Sequence, residues 1–214
     1  MGQEISPLAL TEKHEVFAFD HATLDITNKN KIEDALKKIK PDIFINAAAY
    51  TKVDNAETDE EAAFSINTKA VGYISKLCQK YSIPLIHIST DYVFDGAKNE
   101  PYIEIDDVNP INIYGKSKYL GEQSIRENLS DHIILRTSWV FGNGGNNFVK
   151  TILELAKHRD GFEVISDQFG SPTPAKSIAE VIVLIVNSID TENTTKYGTY
   201  HYSGDCPTNW YNFA

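Results

Sequence analysis

Short apolar runs alternate with amphipathic helical patterns along this chain, and this alternation constrains the fold more than any other feature. The runs typical of strands are Glu15–Asp20, Asp42–Asn46, Leu85–Ile88, Ile133–Arg136, Glu163–Ser166 and Gly198–Tyr202. Between them apolar residues recur at helical spacing, as at Ile32, Leu36 and Ile39 before Pro41. Such alternation predicts an α/β fold with a doubly wound parallel sheet. Right-handed crossovers then place the carboxyl ends of the strands at one edge.

Length and composition limit the classes of function that fit. With 214 residues the chain can bury the core of one domain and part of a second. The formal net charge of −10 argues against a nucleic-acid surface. The sequence has neither a membrane-spanning apolar run nor a secretory signal pattern. Its two cysteines and scattered histidines favour a reducing, cytoplasmic setting and predict no catalytic metal.

A candidate catalytic pair lies in the middle of the chain. Tyr114 and Lys118 are four residues apart, so a helix would place the phenol and the ammonium on one face. A nearby cation lowers the pKa of a tyrosine from about 10. Because a solvated helix face can show the same spacing, this pair alone is weak evidence. Ser89 and Thr90 strengthen it, because they follow a predicted strand, where open α/β sheets bind ligands.

Several longer motifs carry a family resemblance. STDYVFDG from Ser89, YGKSKYLGE from Tyr114 and RTSWVFG from Arg136 resemble the extended short-chain dehydrogenase/reductase family, and most closely its dTDP-4-dehydrorhamnose reductase branch. The resemblance continues through DQFGSPT from Asp167. It implies a Rossmann-like NAD(P)-binding domain over residues 1–165, and a partial substrate-binding region over 166–214 that is interleaved with it.

The resemblance also implies an activity: reduction by NADH or NADPH of the C4 ketone of a nucleotide-activated deoxysugar, dTDP-4-dehydro-L-rhamnose to dTDP-L-rhamnose. Tyr114 would donate the proton, while Lys118 would hold the nicotinamide ribose and lower the pKa of Tyr114. Thr90 would hydrogen-bond the carbonyl oxygen of the substrate. Asp91 and Trp139 would position the sugar, although a tryptophan after a strand is more often part of a core.

Further cofactor contacts follow from the same resemblance. Those carried over, besides Tyr114 and Lys118, are Gly2, Asp20, Asp25, Ile26, Ala49, Tyr50 and Thr51. Asp20 would meet the adenosine ribose and weakly favour NADH, because a carboxylate repels a 2′-phosphate. Three of these assignments have a plainer alternative: Asp20 as an ordinary strand end, Asp25 or Thr27 as a helix cap, and the alanines as close packing.

Gly2 aligns with the third glycine of a Gly-x-x-Gly-x-x-Gly motif. On that alignment the first strand is missing and the substrate region stops early, so the chain is expected to be truncated at both ends. As written, it is expected to bind dinucleotide poorly and to be inactive.

Two other functions stay open. The domain could be a non-catalytic regulatory subunit of a methionine adenosyltransferase, which the intact Thr, Tyr and Lys set disfavours. It could also be a reductase or epimerase of another nucleotide sugar. The expected partner is a nucleotide-sugar substrate, with no nucleic acid or membrane, and the expected state is a monomer or homodimer.

Overall fold

The structure, a computed structural model, describes residues 1–191 and 195–214. The α-helices are α1 (Gly2–Thr11), α2 (Lys29–Ile39), α3 (Val53–Ala56), α4 (Glu60–Phe64), α5 (Val71–Tyr81), α6 (Ile113–Asn128), α7 (Phe148–His158), α8 (Ala175–Thr191) and α9 (Trp210–Phe213). The strands are β1 (Phe44–Asn46), β2 (Leu85–Thr90), β3 (His132–Thr137), β4 (Val140–Phe141), β5 (Phe169–Gly170), β6 (Thr173–Pro174), β7 (Gly198–His201) and β8 (Thr208–Asn209). A π-helical segment, Ser65–Ala70, joins α4 to α5.

The described residues divide into two compact units. The first contains Met1–Val16, Thr137–Thr191 and Tyr202–Ala214. The second contains Phe17–Arg136 and, among the described residues, 195–201. The division at residues 165 and 166 that the sequence suggests stays a prediction.

The main sheet confirms the predicted fold class. In the described part of the chain its strand order is β1-β2-β3-β7, and β1 pairs with β2, and β3 with β7, in parallel. The linking helices form for local reasons. In α2, for example, the Asn28 side chain accepts from the Lys31 N–H, and Lys40 ends the helix in a left-handed conformation before Pro41.

Two predicted strands are wrong. Glu15–Asp20 and Glu163–Ser166 pair with no strand in the part of the chain that the structure describes. A strand requires backbone groups of a neighbour to complete its ladder, and apolar composition does not supply them. Phe17 and Phe19 accordingly stay about half exposed, at 49% each.

The core of the second unit lies between the sheet and its helices. Its buried members are Ile32, Leu36, Val71, Ile74, Leu77, Cys78, Ile83, Leu85, Ile125, Leu129 and Ile134. These residues come from α2, α5, α6, the strands and, for Ile83 and Leu129, the turns that follow α5 and α6, so helices and sheet share one apolar interior. In the first unit, α1 packs on α8, where Ile178, Ala179 and Ile182 are fully buried.

The described residues contain neither a candidate membrane-spanning helix nor a candidate metal-binding cluster. None of their helices is both long and apolar enough to cross a membrane. No group of three or more histidine, cysteine, aspartate or glutamate side chains among them could hold a metal ion.

Candidate active site

Helix α6 brings three polar side chains to one buried face. Tyr114, Lys118 and Glu122 are spaced four apart, and each is at most 9% exposed. The helix begins at a defined residue because the Asn112 side chain accepts from the Gly115 N–H at 2.7 Å. The predicted geometry of the Tyr-x-x-x-Lys pair is therefore present.

Gly115 lets α6 approach the end of β2. A Cβ atom at this position would lie 2.1 Å from the carbonyl oxygen of Tyr92, far inside van der Waals contact. Any side chain would therefore push the helix away from the backbone that follows Thr90. The ring of Tyr92 also packs edge-on against Tyr114, with 5.5 Å between centroids.

Thr90 ends β2 and lies at the phenol of Tyr114. Its hydroxyl accepts from the Tyr92 N–H and donates to Asp91 Oδ1, both at 3.2 Å. Burial raises the pKa of Tyr114 to about 12, and a hydrogen bond with Thr90 opposes that rise. Burial also raises the pKa of Asp91 to about 6. The structure thus brings Thr90, Asp91 and Tyr114 together at the carboxyl end of β2.

The structure departs from the sequence-based expectation for the pKa of Tyr114. The sequence predicts that Lys118 lowers this pKa, but burial, the largest influence, raises it, and the groups that also act on it are Thr90, Asp91 and Tyr92. The reason is the direction of the Lys118 side chain. Lys118 Nζ lies 2.6 Å from the Ile88 carbonyl oxygen and 3.2 Å from His87 Nε2.

Glu122 is the most heavily bonded carboxylate of the described residues. It accepts from Ser89 Oγ, from Nε and Nη2 of Arg136 at 3.0 and 2.7 Å, and from Arg126 Nη1 at 3.2 Å. These contacts join α6 to β2 and β3 immediately beside Thr90. Sequence reasoning missed this network, because its members lie far apart along the chain.

The segment after β1 contains the predicted contacts Ala49, Tyr50 and Thr51. Asn67 fixes it: Oδ1 accepts from the Tyr50 N–H at 2.9 Å, and Nδ2 donates to the Tyr50 carbonyl and to Ser117 Oγ at 3.0 Å each. Asn67 lies in the π-helical segment, a geometry that often marks functional sites. The sequence reasoning missed this residue.

The predicted adenosine contacts lie in short turns of the second unit. Asp20 Oδ1 accepts from the N–H and the hydroxyl of Thr23, and Asp25 Oδ1 accepts from the same two groups of Thr27. Hydrogen bonds to Thr23 lower the pKa of Asp20, and those to Thr27 lower the pKa of Asp25. Both carboxylates are therefore ionised at neutral pH. Ile26 packs against the apolar core.

Gly2 and Trp139 belong to the first unit. Gly2 begins α1, with open space around its Cα. Trp139 has a left-handed φ of 48° and stacks on Trp210 with 3.5 Å between centroids. A Cβ at Gly170 would lie 2.5 Å from the Trp139 ring, so only glycine fits beside it. Trp139 is thus held in one orientation within its unit.

The parallel sheet, with threonine, tyrosine and lysine gathered at the carboxyl end of one strand, defines the class as an α/β protein of the extended short-chain dehydrogenase/reductase type. The family described as RmlD substrate binding domain matches residues 1–214.

Individual relatives agree with that match. The chain is 44% identical to dTDP-4-dehydrorhamnose reductase of Aggregatibacter actinomycetemcomitans over 100% of its own length and 73% of the relative. The Escherichia coli K12 reductase is 41% identical, with 100% and 71% covered. A crystal structure of the Bacillus anthracis reductase in complex with NADP has a TM-score of 0.90 and 39% identity, covering 98% of this chain and 74% of that one. The chain belongs to the dTDP-4-dehydrorhamnose reductase family.

Proposed function

We propose that this protein is a nicotinamide-dependent reductase that converts dTDP-4-dehydro-L-rhamnose to dTDP-L-rhamnose. The relatives named as such reductases support the proposal over the regulatory-subunit and other-sugar alternatives. The observation that carries it is the gathering of Thr90, Tyr114 and Lys118 at the carboxyl end of β2.

The residues present suit a dinucleotide. After β1 come three alanines, of which Ala48 is exposed and Ala47 and Ala49 are partly exposed, so a large ligand can approach the backbone closely. At the end of β3, Thr137 Oγ1 is a buried oxygen without a hydrogen-bond partner among the described residues. Such an orphaned group is expected at an edge of the sheet where a ligand completes the bonding.

The proposed contacts to the cofactor are Gly2, Asp20, Asp25, Ile26, Ala49, Tyr50, Thr51, Tyr114 and Lys118. The reduced nicotinamide, when bound, supplies the hydride. With a pKa of about 12, the phenol of Tyr114 holds its proton at neutral pH and can give it to a developing alkoxide. Thr90 hydrogen-bonds the ketone oxygen and Lys118 holds the ribose hydroxyls, while Asp91 and Trp139 position the sugar.

The test is Tyr114→Phe in the complete protein, assayed as NADH or NADPH oxidation that depends on the dehydrorhamnose substrate. Loss of a positioned general acid lowers turnover by about 10² to 10⁴, while the Kd of the cofactor stays near its original value. Tyr119→Phe on the same helix is the matched control, because its hydroxyl only accepts from Gln123. Wild-type turnover by Tyr114→Phe would overturn the assignment.

The cofactor preference is a separate part of the proposal. Asp20 is ionised and receives both Thr23 hydrogen bonds at Oδ1, so its carboxylate favours ribose hydroxyls over a 2′-phosphate and weakly favours NADH. Asp20→Asn is expected to shift the ratio of kcat/KM values towards NADPH, whereas Asp34→Asn on the exposed face of α2 leaves it unchanged. An unchanged ratio in Asp20→Asn means that this carboxylate does not face the ribose.

A further inference from the structure

A chain of buried hydrogen bonds leads from Lys118 to the backbone after β1. Lys118 Nζ lies 3.2 Å from His87 Nε2, and His87 Nδ1 lies 3.1 Å from Asn46 Nδ2. Asn46 Oδ1 in turn accepts from the Ala48 N–H at 3.2 Å. His87 is 0% exposed and Asn46 is 3% exposed, so the bond between their side chains is closed to water, whereas Ala48 lies at the surface.

The bond at Ala48 fixes the direction of every other bond in this chain. Because Asn46 accepts through Oδ1, its NH₂ group faces His87 and donates to Nδ1. A neutral imidazole has one donor and one acceptor nitrogen, so Nε2 carries the proton and donates to Lys118 Nζ. Nζ can accept only with a free lone pair. In this arrangement Lys118 is the neutral amine, and it donates one of its own hydrogens to the Ile88 carbonyl.

A charged Lys118 requires the opposite direction. An ammonium has three donors and no lone pair, so His87 Nε2 must then accept. The ring exchanges its Nε2 proton for one at Nδ1, and Asn46 must turn its oxygen towards the ring. In total the chain takes up one proton, and the Ala48 N–H loses its acceptor.

We propose that His87 and Asn46 are positioning residues that couple the charge of Lys118 to the backbone at Ala48, directly before the proposed cofactor contacts Ala49, Tyr50 and Thr51. The functional meaning of this coupling rests on the proposed function, in which Lys118 holds the cofactor ribose. The coupling itself is a property of the hydrogen bonds and exists without ligand.

The surrounding charges allow the hydrogen-bond chain from Lys118 to Asn46 to run in either donor–acceptor direction. Among the described residues, the titratable groups that act on Lys118 are His87 from β2, at 3.2 Å, and Glu122 one turn away on its own helix, while the neutral Asn46 from β1 contacts His87. Burial lowers the pKa of Lys118 to about 8, against the charge of Glu122, which raises it. Burial and then the Lys118 charge hold the pKa of His87 well below its usual value, so the ring stays neutral in both directions.

Nuclear magnetic resonance of the protein with ¹⁵N-labelled histidine tests the coupling, because long-range correlations identify the protonated ring nitrogen. Between about pH 6 and about pH 10 we expect one change at His87, from Nδ1–H below the Lys118 pKa of about 8 to Nε2–H above it. His132 is the internal control, since its Nδ1 donates to the Leu129 carbonyl and should keep its proton. His87→Gln assigns the signal.

Two variants show whether the tautomer change at His87 depends on Lys118 and Asn46. Lys118→Met removes the titrating group, and Asn46→Asp offers only acceptors to the ring, so each should abolish the change of tautomer. A wild-type His87 that keeps one tautomer across the range, or a change that persists in Lys118→Met, would overturn the proposal. The measurement needs neither cofactor nor turnover, so its failure leaves the reductase proposal to the Tyr114→Phe assay.

Discussion

Lys118 and Glu122 lie one turn apart on α6, and both are removed from water, yet their surroundings differ completely. Glu122 is 0% exposed and is bonded by two arginines and a serine. Lys118 is 2% exposed and meets a carbonyl and a histidine, with no carboxylate within ion-pair distance among the described residues. One turn of α6 thus carries a fixed charge, that of Glu122, and a changeable charge, that of Lys118.

The two pKa values express this difference. Burial alone would raise the pKa of Glu122, but the hydrogen bonds and charge of Arg136, with help from Ser89 and Arg126, hold it below its usual value. Nothing of that strength supports the ammonium of Lys118, so its burial lowers the pKa to about 8. Glu122 is therefore a structural anchor of the helix, whereas Lys118 is suited to a change of charge.

Removal of the fixed charge is expected to have the largest effect on stability. Glu122→Gln leaves Arg136 buried without its counter-charge, which typically costs about 3 to 5 kcal/mol. Urea unfolding measures the free energy of unfolding, and Glu127→Gln on the exposed side of α6 is the matched control, expected to change it by at most about 0.5 kcal/mol. Equal losses in the two variants would show that the buried pair has no special role.

Removal of the Lys118 charge should change the free energy of unfolding in the opposite direction. The folded protein releases the Lys118 proton near pH 8 and the unfolded chain near 10.5, a difference of about 3 kcal/mol at 1.36 kcal/mol for each pKa unit. Wild type bears this cost fully below pH 8 and loses it as the pH rises through 10.5. The free energy of unfolding of Lys118→Met is therefore expected to equal or exceed that of wild type at neutral pH. Near pH 10.5 the difference in its favour should disappear.

Unfolding measurements at both pH values check this sign. A loss at neutral pH as large as that of Glu122→Gln would mean that Lys118 is a structural anchor too.

The smallest predicted effect distinguishes the roles of the two hydroxyls at the end of β2, those of Ser89 and Thr90. Ser89→Ala removes one hydrogen bond to Glu122 and is expected to cost about 1 kcal/mol of stability, with turnover retained. Thr90→Ala should do the reverse, lowering kcat while stability changes less. Paired unfolding and kinetic measurements decide; a larger kcat loss in Ser89→Ala would reverse the roles.

The sequence was sufficient for features that depend on local spacing. The four-residue interval between Tyr114 and Lys118, and the hydroxyl of Thr90 after a strand, are visible without coordinates, and the fold class follows from alternation. Glu122 and Arg136 could not be paired from sequence, because their contact depends on how a helix packs on a strand. The histidine inside the apolar strand at His87 was a visible signal that the sequence reasoning did not use.

The error about Tyr114 has a related cause. The helix interval predicts that the phenol and the ammonium share a face, but the direction of a long lysine side chain depends on its acceptors. Here those acceptors are the Ile88 carbonyl and His87, which are supplied by β2. Similarly, the segment Glu15–Asp20 has strand composition, but its pairing depends on a neighbour that composition cannot specify.

The central claim is that Lys118 is present for chemistry and not for stability, and the kinetics of Lys118→Met in the complete protein test it most directly. We expect substrate-dependent NADH oxidation to fall about a hundredfold or more in kcat/KM, with weaker cofactor binding, in a protein that unfolds no more easily than wild type. Lys116→Met, on the exposed side of the same helix, should retain full activity. Wild-type kcat/KM in Lys118→Met would contradict the account.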